Sequence, residues 1–225
     1  MNQTESILAG GGAQSALVDR VYVGLLDDII TGRLAPGSRV KEREVSDRFE
    51  TSRVPVRQAI QRLQVEGFVH TEPNRGAVVW QLSLDEVNEL FDARLCIEPY
   101  GARLAAIRVL RGQADTSELK ALLEEEASVD QGRETRGLSP ALQLHAEIIR
   151  LSGNGLLINA VRPMLGRMEW IFRITRHVRD QTSEHQQLYE AIAAGDVELA
   201  GHLACTHIQL GRGPVVAALR PLLRR

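Results

Sequence analysis

The sequence has few aromatic residues, few cysteines and no long hydrophobic run. Aromatic side chains make up 4% of the 225 residues, which argues against the stacking of single-stranded bases as a main activity. Two cysteines, Cys96 and Cys205, are too few for a disulfide framework, and we expect both to be small buried hydrophobic residues. No apolar run approaches the roughly 18 residues that cross a bilayer, and we expect residues 1–16 not to be a signal peptide, because they lack a basic region and a continuous apolar region. We therefore expect a cytoplasmic protein without membrane contact.

The charge is balanced overall but unevenly distributed. The formal net charge is −2, and 44% of the residues are hydrophobic, as is usual for a globular protein. Residues 39–62, however, contain seven basic and four acidic residues. A basic stretch in a near-neutral chain indicates a local contact with a polyanion. The alternative interpretation of this stretch is a solvated helical face.

The patterning divides the chain into a short tail and two domains. Residues 1–14 contain three consecutive glycines and predict a flexible tail. Residues 15–80 predict three short helices followed by a β-hairpin, which is the layout of a winged helix-turn-helix. Residues 81–225 show only helical periodicity, with a capping box predicted at Ser83 and Glu86 and a last helix break at residues 211–214. The predicted fold class is mainly α, with an all-α helical bundle as the second domain.

The third predicted helix, which begins at Arg53, is suited to the DNA major groove, where each base pair shows a distinct pattern of donors and acceptors. Arg53 and Arg57 are four residues apart and therefore share one helical face. Arginine binds both guanine and phosphate, so the role of each side chain stays open. Arg75, beside Gly76 at the predicted tip of the wing, could reach a minor groove or a phosphate.

Several linked segments in this domain resemble the GntR family of bacterial transcription regulators. They are IITGRLAPG at residues 29–37, VKEREV at 40–45, SRVPVRQAIQRL at 52–63 and EGFV at 66–69. The resemblance covers residues 17–80 and departs from the family at Glu50, where glycine is usual in the turn between the second and third helices. It implies DNA contacts from the second and third helices and from the wing. The expected DNA-binding residues are Arg43, Ser52, Arg53, Arg57, Arg75 and Gly76.

Three histidines of the second domain, His145, His185 and His207, predict a buried polar cluster. His145 and His207 have apolar neighbours, and neutral imidazoles that converge inside a helical bundle suit a divalent transition metal. The alternative is that each is a hydrogen-bonded core histidine, because the sequence alone does not show that the three converge. His177 and His202 are expected to be ordinary surface or core residues.

Residues 85–210 resemble the helical FCD effector domain of the FadR-like branch of this family. The segments that carry the resemblance are DARLCIEP at residues 92–99, LHAEI at 144–148, SGN at 152–154, EH at 184–185 and AIAAGD at 191–196. Many members bind a metal through three histidines and an Asp or Asn, and a carboxylate effector completes its coordination, whereas some bind their effector without metal. The histidines carry over onto His145, His185 and His207. The fourth position is Ala141, which cannot coordinate, so we expect at most a three-histidine site for zinc, nickel or manganese.

The resemblance also implies a role for Arg94, which falls where family members place an arginine that pairs with an acidic effector. A buried guanidinium requires an anionic partner. The alternative is a structural arginine that is paired with Asp92 or Glu98. Arg173 is a second, weaker candidate for effector binding.

Together these features predict a ligand-responsive DNA-binding regulator, a repressor, that senses a small carboxylic acid and is not an enzyme. A homodimer is expected, because the twofold symmetry of a dimer matches a palindromic operator. One alternative is a metalloenzyme that uses the three-histidine site to activate water. Another is a DNA-binding protein whose helical domain only dimerises. The operator, the effector and the metal cannot be identified from the sequence.

Overall fold

The computed structural model describes residues 3–128, 138–175 and 181–221 and divides the chain into two compact units, Met1–Gln81 and Leu82–Arg225. The division falls one residue beyond the boundary that the sequence predicts. The described elements are α1 Gln3–Ile30, α2 Glu42–Phe49, α3 Arg53–Val65, β1 Val69–Glu72, β2 Gly76–Val79, α4 Leu84–Leu110, α5 Ser117–Ser128, α6 Pro140–Leu151, α7 Gly155–Ile174, α8 Thr182–Ala193 and α9 Val197–Leu219.

The N-terminal unit is the predicted winged helix-turn-helix. Helix α1 buries Leu25 and Ile29, and α3, which packs on α1, buries Val56 and Leu63. Strands β1 and β2 pair antiparallel, with Val69 opposite Val79. The apolar faces of the helices therefore form a small core that positions α3 and the hairpin, as the sequence pattern predicts.

The turn between α2 and α3 keeps its form although Glu50 replaces the usual glycine. Glu50 ends α2 in the left-handed conformation, with φ 51° and ψ 51°. A side chain in this conformation costs about 1 kcal/mol relative to glycine, because its Cβ crowds the backbone. Hydrogen bonds from Glu50 N to Asp47 O and from Thr51 N to Ser46 O close the turn.

The first helix differs from the sequence prediction. Helix α1 begins at Gln3, so the helical backbone includes most of the segment 1–14 that the sequence predicts as a tail. The prediction relied on Gly10, Gly11 and Gly12, each of which costs about 1 kcal/mol relative to alanine in a helix. In the structure this run does not end the helix.

The C-terminal unit is a bundle built around α4, which contacts α6, α7, α8 and α9. The predicted capping box begins α4: Glu86 N donates to Ser83 Oγ at 3.1 Å, and Ser83 N donates to a Glu86 carboxylate oxygen at 2.9 Å. Small residues such as Ala102 and Ala105 are fully buried on α4 and let the neighbouring helices approach closely. All elements described after residue 81 are helices, as predicted.

Helix α9 corrects the predicted break at residues 211–214. It continues to Leu219 and contains Pro214 in its interior. The proline removes one helical hydrogen bond, which normally favours a break. Gly211 is buried, and a Cβ added there would lie 3.9 Å from the Phe91 ring on α4. The extensive packing of α9 on α4 therefore outweighs the local signal.

Candidate functional sites

The predicted DNA-binding residues of α3 lie at its exposed N-terminal end. Ser52 is the N-cap residue of α3, yet its hydroxyl makes no capping hydrogen bond and is exposed. Arg53 and Arg57 are also exposed and lie off the face that buries Val56 and Ile60. The structure thus brings Ser52, Arg53 and Arg57 to one accessible end of the helix.

Arg57 is oriented by a carboxylate on the preceding helix. Its Nε lies 3.0 Å and 2.9 Å from the two carboxylate oxygens of Glu42. The terminal nitrogens Nη1 and Nη2 of Arg57 have no hydrogen-bond partner among the described residues, so the end of the guanidinium is open. Arg43 is 83% exposed and only loosely paired, with 4.0 Å between its Nε and Asp47. Both side chains are accessible to an anionic surface.

The hairpin presents Arg75 and Gly76 at its tip. Asn74 and Gly76 have φ of 64° and 74°, which turns the chain sharply. Arg75 Nη1 donates to a Glu72 carboxylate oxygen at 2.6 Å. This hydrogen bond, with a second one from His70, lowers the pKa of Glu72. Arg75 is therefore held against the hairpin when no DNA is bound.

The three predicted histidines converge in the C-terminal unit. His145 on α6, His185 on α8 and His207 on α9 are at most 4% exposed. Each offers a ring nitrogen, and these three nitrogens lie within 4.8 Å of one another. The Nε2 atoms of His145 and His207 are 3.2 Å apart. The helical packing therefore creates the cluster that spacing alone could not establish.

Each imidazole of this histidine cluster is oriented through its Nδ1 by a carboxylate. Glu98 lies 2.9 Å from Nδ1 of His145, Glu126 lies 2.8 Å from Nδ1 of His185, and Glu184 lies 2.9 Å from Nδ1 of His207. Because the carboxylates accept hydrogen bonds, Nδ1 carries the proton and Nε2 keeps its lone pair in each neutral ring. Metal-binding histidines are held in this way in many proteins.

The buried charges next to His145 are strongly coupled. Burial raises the pKa of Glu98, but Arg94 and His145 outweigh this effect and hold that pKa well below its usual value. Burial lowers the pKa of His145 although the nearby carboxylate of Glu98 opposes this. Burial and the neighbouring histidines also lower the pKa of His207. His145 and His207 are therefore neutral imidazoles at pH 7.

The cluster fits a transition metal that is bound by three nitrogens. A tetrahedral zinc ion with bonds of 2.0–2.1 Å holds its ligand nitrogens about 3.3 Å apart, close to the 3.2 Å between His145 and His207. Nε2 of His185 is buried and has no hydrogen-bond partner among the described residues, although a buried imidazole nitrogen ordinarily has one. Ala141 lies one turn before His145 and offers no ligand atom.

Arg94 is buried and paired within its own helix. Its Nε and Nη2 lie 2.5 Å and 3.2 Å from the two carboxylate oxygens of Glu98. The other predicted partner, Asp92, instead accepts from Arg212 at 2.6 Å. Nη1 of Arg94 takes part in none of the described hydrogen bonds. One donor of this buried guanidinium is thus available beside the histidine cluster.

Arg173 belongs to a different buried arrangement. Its Nε lies 2.6 Å from a carboxylate oxygen of Glu169, which is only 2% exposed. The other oxygen of Glu169 accepts from Ser139 N at 2.7 Å, at the start of α6. Arg173 therefore takes part in a contact that links α7 to α6, and no described hydrogen bond joins it to the histidine cluster.

A small cavity adjoins the histidine cluster. It is lined by Glu98, His145, Ile148, Ile149, Leu188 and Ala204, and has room for about one water molecule. Its wall combines two polar side chains with apolar ones, as in many ligand sites. Any larger molecule would need the surrounding helices to move apart.

Sequence reasoning predicted none of the three carboxylates as partners of the histidines, since Glu98 was expected only as a possible partner of Arg94, and it misplaced one cysteine. Glu184 is adjacent to His185 and could have been noticed, whereas Glu126 lies on α5, 59 residues from its partner, and has no sequence signal. Cys96 is exposed, contrary to the expectation of burial, and Cys205 is half-buried. His202 is exposed, and His177 lies outside the described residues.

Comparison with known proteins identifies both units. The family model described as "Bacterial regulatory proteins, gntR family" matches residues 17–79, and the model "FCD domain" matches residues 89–210. A Paenarthrobacter nicotinovorans protein described as "Probable D-xylose utilization operon transcriptional repressor" is 27% identical over 87% of each chain. The HTH-type transcriptional repressor RspR of Escherichia coli is 37% identical over 42% of this chain and 41% of its own.

The fold also matches a solved structure, a transcriptional regulator GntR from Rhodococcus sp. RHA1. The TM-score is 0.71 at 24% identity, and the match covers 89% of this chain and 97% of the other. Among the residues that the structure describes, none of the helices has the length and apolar character to span a membrane.

The pairing of Arg94 with Glu98 predicts the effect of removing the arginine. Arg94→Met leaves a buried carboxylate with only His145 as a partner, so we expect the C-terminal unit to lose about 3 kcal/mol of stability. Arg212→Met, which removes a more exposed pair with Asp92 and two hydrogen bonds to Asn88, should cost less, about 1–2 kcal/mol. Urea unfolding with chelator present, followed by Trp170 fluorescence in a Trp80→Phe background, measures both. A loss for Arg94→Met no larger than that for Arg212→Met would contradict this assignment, and adding Glu98→Gln should recover much of the loss.

Proposed function

The chain belongs to the GntR family of bacterial transcription regulators and carries an FCD domain, and from this premise we propose that it is a metal-dependent, ligand-responsive repressor. In this proposal the N-terminal units of a homodimer bind a palindromic operator, and the C-terminal unit binds a small carboxylic acid. The observation that carries the sensing role is the convergence of three carboxylate-oriented imidazoles inside the FCD unit.

The arrangement of lone pairs favours a bound cation. With Nδ1 of each ring donating to a carboxylate, the Nε2 atoms of His145 and His207 place two lone pairs toward each other at 3.2 Å. Neutral imidazoles in this arrangement repel each other unless a cation lies between them. The three carboxylates and Arg94 also contribute two more negative than positive charges around the cluster. A divalent cation would remove the repulsion between the lone pairs and would balance the excess of negative charge. Imidazole ligands favour zinc or nickel over calcium.

The missing fourth ligand leaves room for an effector. Since Ala141 contributes no atom, a metal held by three imidazoles would keep an open position, as in catalytic rather than structural zinc sites. A carboxylate oxygen or a water molecule would occupy it. The adjoining cavity has room for about one water molecule, so binding of a whole carboxylic acid would require the surrounding helices to move apart. Nη1 of Arg94 supplies a further donor for an acidic ligand. These features support a small, negatively charged effector.

The same residues argue against turnover at this site. Metal-assisted hydrolysis requires a general base near the activated water. Glu98, Glu126 and Glu184 are each bonded to a histidine Nδ1, and Glu98 is also bonded to Arg94. The hydrogen bonds of these three carboxylates orient the histidines, and this arrangement favours a sensor over a metalloenzyme.

The N-terminal unit supports DNA binding through exposed cations. Arg43, Arg53 and Arg57 are accessible, and Glu42 leaves the outer nitrogens of Arg57 open. Two such nitrogens suit the paired acceptors of guanine as well as a phosphate. Effector binding would act by changing the populations of the dimer arrangements that present the two α3 helices to DNA. Relief of repression is the direction that we propose.

The DNA-binding role of Arg57 is testable by substitution. The probe is a duplex selected by the wild-type protein from random-sequence DNA. Arg57→Ala should weaken binding about tenfold or more, since a base or phosphate contact of this kind contributes about 1–3 kcal/mol. Arg162→Ala removes an equal charge from the C-terminal unit and should leave the affinity unchanged. Equal gel-shift affinity of Arg57→Ala and wild type would remove Arg57 from the DNA contact.

The metal site is testable by elemental analysis. We expect about one transition metal per chain in protein purified without chelator or a histidine tag. His145→Ala should lose this metal, whereas His202→Ala, which removes an exposed histidine from α9, should retain it. Ala141→Asp should slow loss of the metal to a chelator by supplying a fourth ligand. Protein that remains metal-free after incubation with zinc, nickel and manganese would contradict the proposed site.

The effector class is testable by thermal shift on the metal-loaded protein. A small carboxylic acid at about 100 times its dissociation constant should stabilise the protein by about 2.7 kcal/mol and raise the melting temperature by several degrees. The matched control is the amide of the same acid, which lacks the charge and should have no effect. A screen in which acids and amides give the same response would contradict recognition of a carboxylate. No response to any acid would instead favour an inert helical dimerisation domain.

A further inference from the structure

An exposed valine lies among the predicted DNA-binding residues of α3. Val54 is 54% exposed, although the adjoining Pro55 and Val56 are buried. It follows Arg53 and precedes Arg57 by three residues, and both arginines are exposed. Exposure of an aliphatic side chain to water is unfavourable. The end of α3 that carries the arginines therefore also presents an apolar group for contact.

Val54 lies on the side of α3 that faces away from the core of the N-terminal unit. At about 100° per residue, it is about 200°, 140° and 180° around the helix from the buried residues Val56, Ala59 and Leu63. Arg57 lies about 60° from Val54 on the exposed side. Residues three apart on a helix are neighbours. Val54 and the open end of the Arg57 guanidinium are therefore accessible to the same surface.

The chemistry of Val54 restricts what this side chain can recognise. It has no donor or acceptor, so it cannot form a hydrogen bond with a phosphate or with a base edge. In the major groove, the apolar group that a base presents is the 5-methyl group of thymine. A cytosine in the same place presents an amino group, which would lose its contact with water against a valine and gain no partner. Val54 therefore suits thymine and disfavours cytosine.

We propose that Val54 contacts the 5-methyl group of a thymine in the major groove and sets the preference for thymine at one position of each operator half-site. The first residues of a recognition helix contact base edges, and Val54 is the second residue of α3. Because Arg57 is its neighbour, the thymine should lie within about two base pairs of the base or phosphate that Arg57 contacts. This inference rests on the proposed DNA-binding role and assigns part of its sequence preference.

Replacement of thymine by deoxyuridine tests the contact, because it removes only the 5-methyl group. The probe is the duplex selected by the wild-type protein, with each thymine and its symmetry mate replaced in turn. At one position per half-site, wild-type binding should weaken about fourfold for each methyl group removed, and about fifteenfold for both. Val54→Ala lacks both γ-methyl groups and should bind the thymine and deoxyuridine duplexes with affinities within about twofold of each other. Gel-shift titration measures these affinities.

Val65→Ala is the matched control for this substitution. Val65 is 70% exposed and lies about 20° around α3 from Val54, but it is the last residue of the helix, about 17 Å further along. This variant should bind the thymine duplex like wild type and keep the full deoxyuridine effect. Alanine is favoured in helices, so neither substitution should disturb α3. An equal loss of affinity in both variants would overturn the contact.

Methylated cytosine provides a second measurement, in which the base pair itself is changed. Cytosine at the sensitive position should weaken wild-type binding more than deoxyuridine does, because its amino group also loses water. 5-Methylcytosine carries a methyl group at the same place in the groove and should recover about fourfold of that loss per half-site. Val54→Ala should not distinguish cytosine from 5-methylcytosine. An equal recovery in wild type and in this variant would contradict the contact.

The outcomes separate this inference from the proposed function. A deoxyuridine effect that disappears in Val54→Ala supports the thymine contact. A wild-type protein that binds its selected duplex tightly, with no deoxyuridine effect that depends on Val54, overturns the contact and leaves DNA binding standing. Failure of the wild-type protein to select any duplex overturns both.

Discussion

The histidine cluster of the C-terminal unit depends on three hydrogen bonds between histidine Nδ1 atoms and carboxylates. A free imidazole can rotate and can carry its proton on either nitrogen, so three histidines in a core do not by themselves make a site. Hydrogen bonds to Glu98, Glu126 and Glu184 fix both the orientation of each ring and the position of its proton, and they leave the Nε2 atoms close together. The carboxylates come from α4, α5 and α8, while the histidines come from α6, α8 and α9. The cluster therefore exists only where these helices are packed together.

Helix α4 connects this cluster to the surface. One of its faces carries Arg94 and Glu98, which form an ion pair next to His145, and its opposite face carries the exposed side chain of Tyr100. The helix is 27 residues long and is held at its start by a capping box. A change in the charge around Glu98 therefore acts on a helix that packs against α6, α7, α8 and α9. In the proposed sensor, ligand binding at the cluster would be transmitted to the rest of the C-terminal unit through this helix.

The sequence predicts the elements better than it predicts the contacts between them. Periodicity and capping signals located α2, α3, the hairpin and the start of α4, because these depend on residues close in the chain. The break predicted before Pro214 is wrong because the packing of α9 on α4 is a tertiary effect. For the same reason Glu126 was missed, since it meets His185 across 59 residues. The sequence limited the possible partners of Arg94 to Asp92 and Glu98, and only the side-chain geometry identifies Glu98 as the partner.

Ala141 affects the charge of the proposed metal site as well as the number of its ligands. An Asp there would supply one negative charge directly to the cation. With Ala141, the three neutral imidazoles supply no negative charge. The compensating carboxylates would not contact the cation directly and would act on it only through their hydrogen bonds with Nδ1. A divalent cation held in this way keeps more of its positive charge at the open position than it would beside an aspartate. Coulomb attraction at that position then favours an anionic ligand over water, because the surrounding low dielectric strengthens the interaction. The substitution that weakens the metal site by one ligand would thus strengthen the coupling between the metal and a carboxylate effector.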